Sequence, residues 1–102
     1  MHAVDWWRHM DSLDSILTQR AGNYGDFRDQ GRVSQELKRV AMMASTSYWS
    51  RMEPYQKEAT EMILHKLARI LNGNPNYADS WVDIAGYATL VAEKLQQDRG
   101  DT

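Results

Sequence analysis

Apolar residues recur along most of this chain at the spacing of one face of an α-helix. In the first stretch, Trp6, Met10, Leu13 and Leu17 follow one another at intervals of four, three and four residues. Because an α-helix turns once every ~3.6 residues, these side chains share one side of it. No stretch of useful length alternates apolar and polar residues, as a half-buried strand does. The pattern therefore predicts an all-α protein.

Two interruptions divide the N-terminal half of the chain. Residues 22–26 contain two glycines and an asparagine, which predict an ordered loop after the first helix. A second helix is predicted from about Phe27 or Arg28, with a blurred end in the serine- and threonine-rich residues 45–47. Its apolar stripe consists of Val33, Leu37, Val40, Ala41, Ala44 and Tyr48.

The C-terminal half carries the clearest pattern, that of a helical hairpin. Pro54 suits the first turn of a third helix, where an N–H group is not needed. Asn72-Gly73 predicts the left-handed residue that ends this helix, and Pro75 prevents its continuation. A fourth helix is predicted from residue 79 or 80. Its predicted buried face is Trp81, Ile84, Ala85, Ala88, Val91, Ala92 and Leu95. The expected architecture is an antiparallel bundle of about four helices that ends in this hairpin.

Size and composition limit the classes of protein. The 102 residues, 42% of them hydrophobic, predict a single domain over residues 1–102, with frayed ends at about 1–4 and 97–102. Twelve basic and 14 acidic residues leave a net charge of -2, which gives no strong field for nucleic acid or an anionic membrane. The absence of cysteine excludes disulfides and thiolate metal sites. No apolar run has the length of a membrane span, so a cytoplasmic location is expected.

The third predicted helix carries a polar stripe and one unusual lysine. The stripe consists of Glu58, Glu61, His65, Arg69 and Asn72. Such stripes are commonly solvated faces with weak pairs between residues four apart, which is one interpretation here. Lys66 lies instead at the margin of the apolar arc. There are two interpretations of this position. Either the aliphatic part of the side chain packs on the apolar arc while the ammonium group extends to solvent, or the ammonium group binds a partner.

The fourth predicted helix carries two carboxylates four residues apart. Asp79 and Asp83 share a face, and Tyr87 continues the same row. Carboxylates at this spacing suit Mg²⁺, which prefers hard oxygen ligands. The alternative assigns Asp79 as a helix cap and Asp83 as a salt-bridge partner.

The geometry of an antiparallel hairpin decides which of these groups can meet. The start of the fourth helix lies beside the end of the third, so Asp83 is expected to face Lys66 or Arg69. Glu58 and Glu61 then lie about three turns away from Asp79, which disfavours a cluster of four carboxylates within one hairpin. A mixed cluster suited to phosphate is predicted instead. Its members are His65, Lys66, Arg69, Asp83 and Tyr87.

Three segments resemble a family of small phage and prophage domains that is largely of unknown function. They are Arg20-x-x-x-Tyr24-Gly25-Asp26-Phe27, Glu58-x-x-Glu61-Met62-Ile63-x-His65-Lys66-x-Ala68-Arg69-Ile70-Leu71 and Asp79-Ser80-Trp81-x-Asp83-Ile84-Ala85-Gly86-Tyr87-Ala88. The resemblance covers about residues 16–95. Similar segments occur in a phage nucleotide kinase that lacks a P-loop and in phage nucleotide-modification domains. The family also looks related to MazG-like nucleoside triphosphate pyrophosphohydrolases.

The resemblance implies a domain of nucleotide metabolism that binds a (deoxy)nucleotide and assembles as a homo-oligomer. Mg²⁺-dependent phosphoryl transfer or pyrophosphohydrolysis is the reaction it suggests. Asp83 and Lys66 are then the catalytic candidates. The candidate ligand-binding residues are Tyr24, Gly25, Asp26, His65, Arg69 and Tyr87, and the candidate metal ligands are Glu58, Glu61, Asp79 and Asp83. MazG enzymes carry E-E-x-x-E followed by E-x-x-D, and this chain departs from both motifs.

A noncatalytic helical binding protein is the alternative from a different functional class. Such a protein sequesters a nucleotide or attaches to a host protein. Four tryptophans are many for so small a core, and exposed aromatic residues often mark interfaces. Adjacent Trp6 and Trp7 cannot both face one core, so one of them is the better interface candidate. A third interpretation is a purely structural bundle in which Lys66 and Asp83 form a salt bridge.

Overall fold

The computed structural model describes the backbone of residues 3–100 and the side chains of residues 13–100. Five helices, and no strand, occupy this part of the chain, which confirms the all-α class. They are α1 (Ala3–Tyr24), α2 (Phe27–Met43), α3 (Thr46–Arg51), α4 (Pro54–Asn72) and α5 (Ala78–Asp98). The side chains of Trp6, Trp7 and Met10 and the two extreme ends, for which predictions were made, lie outside the described residues.

The link between α1 and α2 is shorter than predicted. Gly22 and Asn23 belong to α1, and Gly25 and Asp26 alone separate the two helices. Gly25 has a φ of 78°, and its N–H donates to the carbonyl of Ala21. This is the left-handed ending that glycine favours. Asp26 then caps α2, because its carboxylate accepts a hydrogen bond from the N–H of Arg28. The predicted loop is thus a two-residue link.

The blurred end of the second predicted helix is a break followed by a short additional helix. α2 ends at Met43, and α3 occupies Thr46–Arg51. α4 begins at Pro54, as predicted, and the N–H of Glu53 donates to the side chain of Gln56 at 2.8 Å. This bond satisfies a backbone donor that a helix start leaves free.

α4 is the central element, and it packs most extensively against α5 and α2. The core at these contacts is thin. Its buried apolar residues are Ala59, Ala68 and Ile70, all from α4, and no large side chain among those described is fully buried. α1 makes fewer contacts with α2 and α4. A closed antiparallel four-helix bundle therefore stays a prediction.

The buried face predicted for α5 is largely wrong. Ile84 and Val91 are half-buried, but the other five members of that face are exposed. They are Trp81, Ala85, Ala88, Ala92 and Leu95. The reason is geometric, because α4 covers one narrow side of α5 and the described residues provide no further element to cover the rest.

The turn after α4 differs from the prediction in an informative way. Gly73 has a φ of -139°, so it is not the left-handed residue expected there. A Cβ atom at Gly73 would instead overlap the carbonyl oxygen of Asn23 and the Cα atom of Tyr24. A Cβ atom at Gly25 would likewise overlap the carbonyl oxygen of Asn72. The two glycines allow the α1–α2 link and the α4–α5 turn to touch backbone to backbone.

In the part of the chain that the structure describes, no helix combines the length and the apolar character that crossing a bilayer requires.

We expect Gly73→Ala and Gly25→Ala each to lower the free energy of unfolding by about 2 kcal/mol or more, because each added methyl group collides with backbone atoms. Gly22→Ala is the matched control, since a Cβ atom there meets nothing within 4 Å. This control should be neutral or slightly stabilising, because alanine favours helix over glycine by at most about 1 kcal/mol. Urea unfolding followed by circular dichroism measures all three. Equal effects at Gly22 and Gly73 would contradict the close approach.

Candidate ligand cavity

A cavity of about 450 Å³ lies where the α1–α2 link meets α4. Four of the residues predicted to bind a ligand line it, namely Tyr24, Gly25, Asp26 and Arg69. The other lining residues are Leu17, Arg20, Ala21, Phe27 and Gln30. The volume is within the range of pockets that hold small organic ligands. The structure thus brings the residues of the α1–α2 link close to the positively charged Arg69 of α4.

Arg69 is held in the cavity by an aromatic ring. Its guanidinium carbon lies 4.4 Å from the centre of the Tyr24 ring, a cation–π contact. The Tyr24 ring in turn meets the Tyr77 ring edge to face, with 5.8 Å between their centres. The Nε atom of Arg69 is itself buried and has no hydrogen-bond partner among the described residues. An oriented cation thus lines the cavity.

Asn72 fixes the α1–α2 link against the end of α4. Its side-chain amide donates to the carbonyl oxygens of Tyr24 and Asp26, each at 3.1 Å. The N–H of Asn74 donates to the carbonyl of Asn23 at 2.7 Å. These bonds position Tyr24, Gly25 and Asp26 relative to Arg69, so the shape of the cavity depends on the α4–α5 turn.

Lys66 and Asp83 form the cross-helix pair that hairpin geometry predicts. Lys66 Nζ lies 2.9 Å from Asp83 Oδ2. The lysine side chain is 14% exposed and the aspartate side chain 46% exposed, so the lysine is the more deeply buried partner. Arg69 turns away from Asp83 toward Tyr24. The members of the predicted mixed cluster consequently have different partners, since Lys66 pairs with Asp83 and Arg69 contacts Tyr24.

Asp79 is not the cap that one interpretation assigned. Tyr77 is the residue before α5, and Asp79 lies in the first turn, where its charge suits the positive end of the helix. The Tyr77 hydroxyl donates to Asp79 Oδ2 at 2.8 Å. This hydrogen bond, above all, raises the pKa of Tyr77 to about 12, because it stabilises the protonated phenol.

His65 lies in a positively charged neighbourhood. Its burial lowers the pKa of the imidazole, and the charges of Arg69, Lys38 and Lys66 lower it further. Each of these effects disfavours the imidazolium ion. His65 is therefore neutral near pH 7, and the positive charge at this level of α4 comes from the lysines and the arginine.

The remaining candidates lie apart from the cavity. Glu61 lines a shallow depression between α2 and α4 together with Lys38 and Arg39, and Glu58 is exposed. Tyr87 and Asp83 line an open depression on α5. Within residues 13–100 no three His, Asp or Glu side chains stand close enough to hold a metal ion. The Mg²⁺ assignment therefore stays a prediction.

Five lining residues are absent from the predicted ligand set, and Arg20, Phe27 and Gln30 are the polar or aromatic ones among them. Arg20 and Tyr24 are four apart on α1, and Asp26 and Gln30 are four apart at the start of α2, so each pair shares a helix face. Arg20 and Phe27 also belong to the segment that carries the family resemblance. The spacing of these pairs is the sequence signal that they share a helix face. The sequence does not show that α4 lies beside the α1–α2 link, so it does not show that these faces line a cavity.

Most of the chain matches a known protein family. This family is described as a domain of unknown function, DUF6378, and its match covers residues 10–95. The chain belongs to this family. No curated protein and no solved structure matches the chain. The matched region spans the cavity, the Lys66–Asp83 pair and nearly all of α5.

We expect His65 to make the protein less stable as the pH falls. Because the pKa of His65 is lowered in the folded state, the unfolded chain binds more protons below pH 6.5, and acid favours unfolding. Stability should be highest above pH 6.5 and decrease as the pH falls through the lowered folded-state value. His65→Gln should flatten this part of the profile. Urea unfolding at several pH values and one protein concentration tests it, and identical profiles would contradict the prediction.

We expect Asp83→Ala to lower the free energy of unfolding by about 1–2 kcal/mol, because it leaves the mostly buried Lys66 ammonium without its partner. Asp98→Ala, which breaks the exposed Lys94–Asp98 pair, is the control and should cost less than about 0.5 kcal/mol. Adding Lys66→Met to Asp83→Ala should recover stability. Thermal unfolding of the parent chain and these three variants measures this, and a double variant no more stable than Asp83→Ala would count against a buried lysine charge.

Proposed function

We propose that this chain binds a (deoxy)nucleotide, or a similar small phosphorylated ligand, in the cavity between the α1–α2 link and α4. The observation that carries the proposal is Arg69, which lines the cavity and whose guanidinium group is oriented by the Tyr24 ring. A guanidinium group is a charged donor that binds phosphate oxygens through charge-assisted hydrogen bonds. Arg69 therefore suits the phosphate of such a ligand.

A second arginine supports an anionic ligand. Arg20 lines the same cavity, and within residues 13–100 neither Arg20 nor Arg69 forms an ion pair. Arginine matches phosphate through its planar set of donors, and two such groups bind one phosphorylated molecule more tightly than one. Asp26 also lines the cavity. Its carboxylate suits a sugar hydroxyl group rather than the phosphate.

The apolar and amide groups of the lining support a planar base beside the phosphate. Phe27 is 79% exposed at the cavity, and Tyr24 presents a ring already oriented by its contacts. Aromatic rings of this kind stack on nucleobases. Gln30 is 4% exposed, and its side-chain amide makes no hydrogen bond within the described chain. An amide has donors and an acceptor for the polar edge of a base.

The resemblance to phage nucleotide-metabolism domains supports the same ligand class. The corresponding reaction is phosphoryl transfer or pyrophosphohydrolysis with Mg²⁺, in which Lys66 and Asp83 take part. In a single chain these two groups pair with each other, and Asp79 bonds Tyr77. We therefore propose ligand binding as the primary function and derive no step through a metal ion.

Noncatalytic binding is the second candidate function. The pairing of Asp83 with Lys66 and of Asp79 with Tyr77 favours it, because both carboxylates already have partners within the chain. A protein of this kind sequesters its nucleotide. Incubation with nucleotides and Mg²⁺, followed by assays for released phosphate, pyrophosphate and transferred phosphoryl groups, separates the two candidates. Turnover supports the enzyme, and binding without turnover supports sequestration.

We expect Arg69→Gln to weaken nucleotide binding by about 10- to 100-fold, because it removes a charged hydrogen-bond donor worth about 1.5–3 kcal/mol. Isothermal titration with a panel of ribo- and deoxynucleoside mono- and triphosphates, with and without Mg²⁺, gives the affinities. Arg39→Gln is the matched control, since Arg39 is exposed, lies outside the cavity and pairs with Glu36. Gln30→Leu should reduce discrimination between bases more than affinity for phosphate. Absence of binding by any nucleotide would overturn the proposal.

A further inference from the structure

We propose that two copies of this chain associate through α5, along a stripe of five exposed apolar residues. The α5 stripe consists of Trp81, Ala85, Ala88, Ala92 and Leu95. Successive members are four, three, four and three residues apart. This is the heptad spacing of helices that pack along each other as a coiled coil.

The chain itself leaves this stripe uncovered. α4 packs on the neighbouring side of α5, where Ile84 and Val91 are half-buried, whereas Trp81 is 51% and Leu95 41% exposed. None of the five stripe residues is charged. Contiguous exposed apolar surface of this kind marks a contact with another molecule.

The chain exposes more surface than a compact protein of its mass. Its exposed area is 7739 Å², against about 5,900 Å² for a compact protein of 11.8 kDa. Exposed large apolar residues occur in all five helices, and Trp81 and Leu95 of the α5 stripe are among them. Association through the α5 stripe buries part of this apolar surface.

The order of side-chain sizes favours a second copy as the partner. The stripe has a bulky residue at each end and three alanines between them, so it is nearly the same in both directions. Two such helices related by a two-fold axis through Ala88 run antiparallel, and Trp81 of each copy meets the partner's Leu95. The alanines then allow the helix backbones to approach closely. A self-complementary patch is the requirement for a two-fold interface.

Trp81 is already fixed for this contact. Its indole N–H donates to the carbonyl of Pro75 at 2.8 Å, which anchors the ring at the α4–α5 turn while half of it stays exposed. An anchored aromatic residue loses little side-chain entropy on association. This pairing also places α4 of both copies on the outside of an α5–α5 centre.

Light scattering of the full chain tests the association, and we expect the mass of a dimer. Ala88→Glu should halve the mass and keep the helical circular dichroism signal, since glutamate favours helix and residue 88 is exposed in the chain. Asp79→Ala on another side of α5 is the control and should stay dimeric. A monomeric parent chain, or a dimer unaffected by Ala88→Glu, would overturn the proposal.

Single cysteines test the interface independently of stability, because the sequence contains none. Mild oxidation should convert Ala88→Cys into a disulfide-linked dimer faster than Glu93→Cys, which lies in the open depression beside the stripe. A mixture of Ala85→Cys and Ala92→Cys proteins should crosslink faster than either protein alone, because an antiparallel pair places these positions opposite each other. Equal rates for residues 88 and 93, or faster crosslinking of the separate proteins, would overturn the arrangement.

Discussion

The contact between the α1–α2 link and the α4–α5 turn is the constraint on which the rest of the structure depends. One side-chain amide, that of Asn72, donates to two carbonyl groups of the link, and two glycines remove the Cβ atoms that would hold the backbones apart. The buried apolar core is small, so these polar contacts carry an unusual share of the tertiary structure. They orient Tyr24 and, through its ring, Arg69.

The helices could be predicted from the sequence because their signals are local. The start of α4 at Pro54 and the start of α2 at Phe27 follow from residues within one turn. The function of Gly73 could not be predicted in the same way. The left-handed ending expected there is instead at Gly25, and the glycine at residue 73 is required by atoms of Asn23 and Tyr24, about 50 positions earlier in the chain. Such contacts between distant residues are not encoded in a local pattern.

The same distinction divides the candidate site. Lys66 and Asp83 belong to neighbouring helices joined by a short turn, so hairpin geometry was sufficient to predict that they meet. The cavity combines the α1–α2 link with α4, and no local rule indicates that Gln30 and Arg69 line one space. The polar stripe of α4 was correctly placed on the helix, yet its members face different neighbours: His65 lies among cations, and Glu61 lies toward α2.

The exposed side of α5 shows why periodicity alone does not define a core. Helical spacing predicts which residues share a face. It does not predict which element covers that face, or whether that element belongs to the same chain. α4 covers the side with Ile84 and Val91, and a second copy covers the stripe centred on Ala88 in the arrangement we propose. In that arrangement the core of α5 is completed only by association, so the stability of this small domain depends on its own concentration. Trp81 is bonded to the α4–α5 turn, which also holds the α1–α2 link through Asn72, so the proposed dimer contact and the cavity share this turn.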